Sequence, residues 1–426
     1  MLPLRPSCSI RRRTLVAGLG GLLAAPGIVR AQGQTKGVAL VIGNSKYSWE
    51  ASLPNARRDA ANVARRFEEL GLKTELIQDA GRQAMFSAIE KFKTAAAGQT
   101  LAVFYFAGHG ASWDADTYLV PVDSDLGTPD TVRSLLPVKA ISDAMKAAAN
   151  RILIFDNCRN NPADGWRQKA ATNSSVVGAA ELAAAALHGP NTLLLFSTAP
   201  GRVALDGPSG ESSPFAAALL RQLSGPSIDM TALPARLRRD LLLATEGQQV
   251  IWSESTYTQP FVFTSPRGGP AQASARPVDA SRIVELPKAY AFARAKNLVL
   301  PEGLVAMRAP ASSSHADKVG AFESTIKMQV GVSQSASTIE PILLIVLSVD
   351  DSGTAQAILS YRFLTADRSG PIWGFVPAQL RGPEVRFTPK PPSLTLWWRW
   401  KDRDSGTCST MMYSPMFQAK FSRLDG

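Results

Sequence analysis

From Gly37 onward, short apolar runs alternate with stretches whose apolar residues recur at helical spacing. That alternation is the signature of a parallel sheet covered on both faces, and it admits few other folds. Residues 38–42, 73–77, 101–106, 151–155 and 192–197 read as strands, with 38–42 and 151–155 buried. Between them, Ala56, Ala60, Val63, Phe67 and Leu70 line one face of a helix, with Asn55 as its N-cap and Gly71 as its stop. Met85, Phe86, Ile89 and Phe92 line a second helix, and residues 138–149 form a third with Ile141 and Met145 inward. Helices over 214–223 and 230–243 follow, 118–122 is a short extended piece, and 261–263 is expected to close the edge of the sheet.

Residues 265–277 concentrate Pro, Gly, Ser and Ala, and the character of the chain changes beyond them. Residues 342–349, 356–364, 393–400 and 411–421 read as β-strands, with turns at Asp351-Ser352-Gly353, Arg368-Ser369-Gly370 and Asp404-Ser405-Gly406. The expected organisation is an α/β region over 36–264, a linker over 265–279, and a smaller β-rich domain over 280–426, an antiparallel sandwich or barrel. Its Trp397, Trp398 and Trp400, with Tyr361, Phe363 and Phe387, are either core or a platform for an unknown carbohydrate or peptide ligand. Trp398 alternates with Trp397, so one of the two faces outward.

The net charge of +11 does not signal nucleic acid. Residues 1–31 carry five arginines and no acid, which leaves +6 over the remaining 395 residues, and no basic stripe is interleaved with aromatics. Those first residues read as an export signal: Arg11-Arg12-Arg13, then an apolar run broken by Gly18, Gly20 and Gly21, then Val29-Arg30-Ala31. The arginine pair resembles the twin-arginine pattern, and cleavage after Ala31 leaves a periplasmic or secreted protein. The longest apolar stretch after the signal, 341–349, is too short for a spanning helix. Three cysteines, Cys8, Cys158 and Cys408, provide neither a disulfide framework nor a thiolate zinc site, and Cys408 is read as unpaired.

Two motifs end neighbouring strand candidates: Phe104-Tyr105-Phe106-Ala107-Gly108-His109-Gly110 and Ile154-Phe155-Asp156-Asn157-Cys158-Arg159. A doubly wound sheet collects ligands beyond its C-terminal strand ends, so a histidine leaving one strand and a cysteine leaving the next can meet over a substrate. A thiol with an ordinary pKa near about 8.5 is mostly protonated at neutral pH, and an imidazole can take its proton and return it to a leaving amine. The N–H groups of Gly110 and Cys158 are candidates for the oxyanion site. No metal is required for this chemistry.

These motifs, with Gly37-Val38-Ala39-Leu40-Val41-Ile42-Gly43-Asn44, Leu53-Pro54-Asn55-Ala56-Arg57-Arg58-Asp59-Ala60, Phe196-Ser197-Thr198-Ala199-Pro200-Gly201, Ala204-Leu205-Asp206-Gly207 and Ser213-Pro214-Phe215, resemble the caspase-like cysteine peptidases, specifically the bacterial relatives of metacaspases. The resemblance covers residues 36–264. It implies a six-stranded, mostly parallel sheet between helices, a His109/Cys158 dyad, and protein or peptide substrates. It also implies that Asp59 and Asp156 are the acidic pocket that selects Arg or Lys, where carboxylates hold a guanidinium through charge-assisted bonds. Residues 159–190 occupy the place of a processed linker, which makes Arg167 and Lys169 candidate autocleavage points. Some metacaspases require calcium, and Asp114, Asp116, Asp123 and Asp125 form an acidic stretch, but its spacing is not that of an EF-hand and a solvated loop is the better reading. The competing reading is a non-catalytic binding or scaffold protein that acts through its loops and its β-domain. A serine esterase is excluded, because no Gly-x-Ser-x-Gly elbow follows a strand.

Overall fold

The computed structural model describes residues 36–48, 53–113, 116–124, 134–157, 189–199, 204–225, 227–264, 279–308, 318–329, 337–350, 352–365, 368–381, 384–387, 395–411 and 417–425. The export signal, Cys158, Arg167, Lys169, Asp114 and Asp125 lie outside the described residues.

The chain opens with strand β1 (Gly37–Gly43), helix α1 (Ala56–Glu69), β2 (Lys73–Gln78), α2 (Arg82–Ala96) and β3 (Leu101–Ala107). A small antiparallel set follows, β4 (Gly110–Trp113), β5 (Asp116–Leu119) and β6 (Leu136–Pro137), then α3 (Val138–Ala144) and β7 (Asn150–Asp156). After β8 (Thr192–Phe196) come α4 (Pro214–Gln222), β9 (Ser227–Asp229), α5 (Leu233–Ala244), β10 (Trp252–Ser255) and β11 (Val262–Thr264). Six of these strands form one sheet in the order β10-β8-β7-β3-β1-β2, parallel except for β10, which pairs antiparallel to β8.

The alternation of β1 explains the layering. Val38, Leu40 and Ile42 pack with Met85, Ile89, Phe92, Ile141 and Met145 from α2, α3 and the residue after α3. Ala39 and Val41 turn to the other face, against Val63 and Phe67 of α1 and the leucines of α4 and α5. Strand order reverses at β1, with β2 on one side and β3 on the other, so the switch point opens between the carboxyl ends of β1 and β3.

Three local expectations are corrected. The sheet edge is closed by β10, whereas β11 pairs with β9 in a separate two-stranded sheet. The third helix stops at Ala144, where Met145 caps it with backbone bonds, short of the expected 149. Asn55 makes no side-chain cap on α1, because its amide is committed to a distant loop.

The C-terminal region starts with β12 (Ile283–Val284), α6 (Pro287–Ala295) and β13 (Ala306–Met307). It then forms a closed antiparallel barrel of β14 (Gly320–Gln329), β15 (Ser337–Val349), β16 (Thr354–Thr365), β17 (Arg368–Arg381), β18 (Glu384–Phe387), β19 (Thr395–Trp400), β20 (Ser405–Met411) and β21 (Phe417–Asp425), with β21 pairing back to β14. Arg368-Ser369-Gly370 is strand here, since Arg368 pairs with Thr365, and the expected single strand over 411–421 is the facing pair β20 and β21. Trp398 and Trp400 are buried with Phe322 and Phe421, which makes them core aromatics and not a platform. The side chain of Trp397 lies outside the described residues.

The barrel shares its core with the sheet-bearing region through Leu242 of α5 and Val250. Buried Arg238 of α5 donates to the carbonyl of Glu302 and to Ser253 Oγ at 2.9 Å, and burial lowers its pKa to about 10. Asp425 at the end of β21 accepts from the amide of Ala289 at 2.7 Å, at the first turn of α6. No helix among the described residues is long and apolar enough to cross a membrane.

Candidate active site

Ala107 at the end of β3 lies opposite Asp156 at the end of β7. His109 and Cys158 therefore each follow their strand by two residues, from the same level of the sheet. The amide of Gly108 donates to the carbonyl of Asp156 at 3.2 Å, which ties the two strand exits together.

The backbone of His109 is fixed from both sides. Its N–H donates to Tyr47 Oη at 2.8 Å, and its carbonyl accepts from Val120 N at 3.0 Å. The Tyr47 and His109 rings meet at 4.5 Å between centroids with a 60° tilt. Burial pushes the Tyr47 phenol far above its ordinary pKa, so it stays neutral. The loop that carries Tyr47 is braced by Asp79, whose carboxylate accepts from the amides of Ser45 and Lys46 at 2.9 and 3.1 Å. Gly108 is required by close approach: a Cβ there would lie 2.5 Å from Tyr47 Oη and 2.7 Å from the Phe106 ring.

Gly110 pairs with Leu119, one step from the hydrogen-bonded His109/Val120 level. In an antiparallel ladder such a residue turns its N–H away from the partner strand. The Gly110 amide therefore points away from β5.

Asp59 and Asp156, expected to share a pocket, are brought together on one residue. Ser213, the N-cap of α4, donates its amide to Asp59 Oδ2 at 2.9 Å and its hydroxyl to Asp156 Oδ2 at 2.7 Å. Both carboxyls are buried, at 1% and 9% exposure. Burial is the main cause that raises Asp59 to about 6 and Asp156 to about 7, and each is raised further by neighbouring acids. Ser213 lowers both in part. The Ser212 side chain, within hydrogen-bonding reach, also lowers Asp59, while Asp59 Oδ1 is buried and makes no hydrogen bond of full geometry among the described residues.

Beneath the pair sits Tyr105, directly opposite Val41 and Ile154 and therefore on the same face of the sheet as Asp156. It is fully buried, its hydroxyl has no partner among the described residues, and the charges of Asp156 and Asp59 act on it.

Sequence reasoning missed several of these residues. Asp206 is a third acid whose charge acts on both Asp59 and Asp156; burial raises its own pKa and Arg58 lowers it. Asn55 holds its loop: Nδ2 donates to the carbonyls of Asp206 and Pro208 at 2.7 and 2.9 Å, and Oδ1 accepts from Gly210 N at 3.3 Å. Gln249 joins that loop to β8, accepting from Leu205 N at 3.1 Å and donating to the Ser197 carbonyl at 2.9 Å. The signal for Ser213 and Asp206 was their place in motifs already singled out, to which no role had been given.

Of the acidic stretch considered for calcium, Asp123 directs Oδ1 at the Arg82 amide in the first turn of α2, at 2.8 Å. Among the described residues no group of three or more His, Cys, Asp or Glu is arranged to hold a metal.

Comparison with known proteins bears on this arrangement. No curated protein matches the chain by sequence. Among solved structures it is similar to caspase-1 from Spodoptera frugiperda, at 16% identity and a TM-score of 0.40, over 55% of this chain and 91% of that one. The family profile described as Caspase domain matches residues 36–262, the segment that holds the six-stranded sheet and every site residue above. That profile supports cysteine peptidase activity at the level of the family, and because it spans more than half of the sequence, the chain belongs to the caspase domain family.

Proposed function

We propose that this protein is an exported cysteine endopeptidase that uses His109 and Cys158 to hydrolyse peptide bonds after Arg or Lys. The observation that carries the reading is the carboxylate pair Asp59, in the first turn of α1, and Asp156, at the end of β7, both buried and joined through Ser213, with Asp59 Oδ1 unpaired among the described residues. Two buried acids without a basic partner are costly, and a cationic side chain entering between them removes the cost. In the reaction, His109 takes the thiol proton, the Cys158 sulfur attacks the carbonyl carbon, and the carbonyl oxygen becomes an oxyanion facing the amides of Gly110 and Cys158. Collapse of that intermediate breaks the C–N bond, and His109 returns the proton to the leaving amine. Water, deprotonated by the same imidazole, then cleaves the thioester. None of these proton transfers needs a metal. Export by the twin-arginine route, with residues 1–31 removed, places the activity in the periplasm or outside the cell.

The test is incubation of the purified mature chain with fluorogenic peptides ending in Arg, Lys or Asp, with and without calcium, beside Cys158→Ala. Turnover of the basic peptides alone, lost in the variant, is expected. Silence from both proteins overturns the peptidase reading, and cleavage after Asp overturns the pocket. The same incubation, followed on denaturing gels, shows whether the chain cuts itself near Arg167 or Lys169.

A further inference from the structure

The hydroxyl of Tyr105 is a feature of this site that neither the fold nor the dyad explains. A phenolic oxygen buried in an apolar layer is normally hydrogen-bonded, because leaving it unpaired forfeits its solvation. Tyr105 has every reason to be Phe here: its ring packs in the same core as Val41, Phe67 and Ile154, and its strand neighbours Phe104 and Phe106 are both Phe. A Phe at 105 would fill the same space without an orphaned oxygen. A second orphan, Asp59 Oδ1, belongs to the same acidic site, and the two carboxylates there are the charges that act on the Tyr105 phenol. Ser213 already takes up the other oxygen of Asp59 and one oxygen of Asp156. What remains for a ligand is therefore a carboxylate oxygen at the site and a neutral acceptor below it, rooted two residues back along the strand from the level of Asp156.

We propose that the Tyr105 hydroxyl is the floor of the pocket and accepts a hydrogen bond from the far end of a guanidinium, so that this site selects arginine over lysine. The proposal rests on the basic-residue reading of the Asp59/Asp156 pair. A guanidinium fits the two orphans because it is planar and carries five donors fixed in a fork, so one edge can meet carboxylate while the other nitrogen continues downward. An ammonium is a compact point charge that stops at the carboxylates and leaves the floor unpaired. A site built to hydrogen-bond one group rejects the analogue that leaves its buried polar atom unmatched.

The test measures binding, so that it does not depend on turnover. In the full mature chain carrying Cys158→Ala, calorimetry compares product peptides that end in arginine, lysine or norarginine, the last keeping the guanidinium on a side chain one methylene shorter. Arginine is expected to bind about tenfold more tightly than either of the others, the effect of one hydrogen bond to a charged donor. Adding Tyr105→Phe is expected to remove that tenfold advantage and leave the lysine affinity within about twofold. An unchanged arginine-to-lysine ratio in Tyr105→Phe means that the hydroxyl serves only the core or a trapped water, and it overturns the proposal. Equal weakening of both peptides also overturns it, since the hydroxyl then acts through the carboxylates. Should the Phe variant fail to fold, norarginine binding as tightly as arginine to the unaltered pocket gives the same refutation. Failure of the underlying reading looks different: none of the three peptides binds before Tyr105 is touched.

Discussion

The hydroxyl of Ser213 donates to Oδ2 of Asp156 at 2.7 Å, and Ser213 Oγ accepts the amide of Ala216 at 3.0 Å as the N-cap of α4. One side chain thus joins a buried carboxyl at the end of β7 to the start of α4. Ser213→Ala removes both bonds but keeps the amide that serves Asp59. Loss of the cap costs about 1 kcal/mol and loss of the bond to a buried carboxyl about 1.5–3 kcal/mol. The variant is therefore expected to be about 2–4 kcal/mol less stable by urea denaturation at pH 8. A loss within about 0.5 kcal/mol, the range of an ordinary surface substitution, contradicts the role given to Ser213.

The acid pair sets a pH dependence with a definite sign. Burial raises Asp59 to about 6 and Asp156 to about 7 from an ordinary value of 3.8. Between those values the native chain holds protons that the unfolded chain has released, so stability is greatest at low pH and falls as pH rises to about 7, then levels off. The two groups titrate as a pair, and the total effect is on the order of a few kcal/mol. Urea midpoints measured from pH 5 to pH 8 are expected to fall, and Asp156→Asn is expected to flatten most of the slope. A cationic ligand needs the ionised pair, so affinity for arginine peptides is expected to rise, with a lower KM, as pH increases over the same window in which stability falls. Midpoints that rise from pH 5 to pH 8 in a manner abolished by Asp156→Asn refute this account.

His109 depends on Tyr47 for its position. Tyr47→Phe keeps the ring against the imidazole but removes the acceptor of the His109 amide, leaving a partly buried N–H unpaired. Tyr47 acts as a positioning residue, so kcat on arginine peptides is expected to fall about tenfold while KM stays within about twofold. Gly108→Ala drives a methyl into Tyr47 Oη and the Phe106 ring, and it is expected to lose more activity than Tyr47→Phe. In the double variant Gly108→Ala/Tyr47→Phe the clash with the hydroxyl is gone, so part of the Gly108→Ala loss is expected to return. Steady-state kinetics across the three variants decides the matter: a loss confined to KM argues against positioning.

How much of this was legible in the sequence follows from what each feature depends on. β1, β3, β7 and β8 were readable because they are buried on both faces and appear as unbroken apolar runs. The opposition of Ala107 and Asp156, and hence the common level from which both motifs leave, followed from adjacent parallel strands. β10 was not readable, since Trp252-Ser253-Glu254-Ser255 is a short polar edge with no apolar run. β17 carries Gly370, Pro371, Gly374 and Pro377, residues that argue against a strand anywhere except in a bent or irregular one, yet it is a long stave of the barrel. The burial of Trp398 and Trp400 depends on barrel closure, a relation between strands that the order of residues along β19 does not contain. Ser213 and Asn55 were hidden for a related reason: each makes its decisive bonds to residues far away in the chain.

Asn55 carries the last expectation. It has no exposed surface, and it grips the carbonyls of Asp206 and Pro208 and the amide of Gly210, so it anchors the loop at whose base Asp206 faces the acid pair. Asn55→Ala strips four hydrogen bonds, including a long one to the Gly207 carbonyl, from a segment that is also held by Gln249 through Leu205. Because the Asn55 side chain holds the part of the loop that bears Asp206 and not the strand ends that bear the dyad motifs, the expected result is selective: KM for arginine peptides rises about tenfold and kcat stays within about threefold. The freed loop should also become the first point of attack in limited proteolysis, as exposed segments with few remaining backbone bonds are. A fall in kcat with KM unchanged and no new cleavage between 204 and 213 contradicts this role and assigns Asn55 to the start of α1 instead.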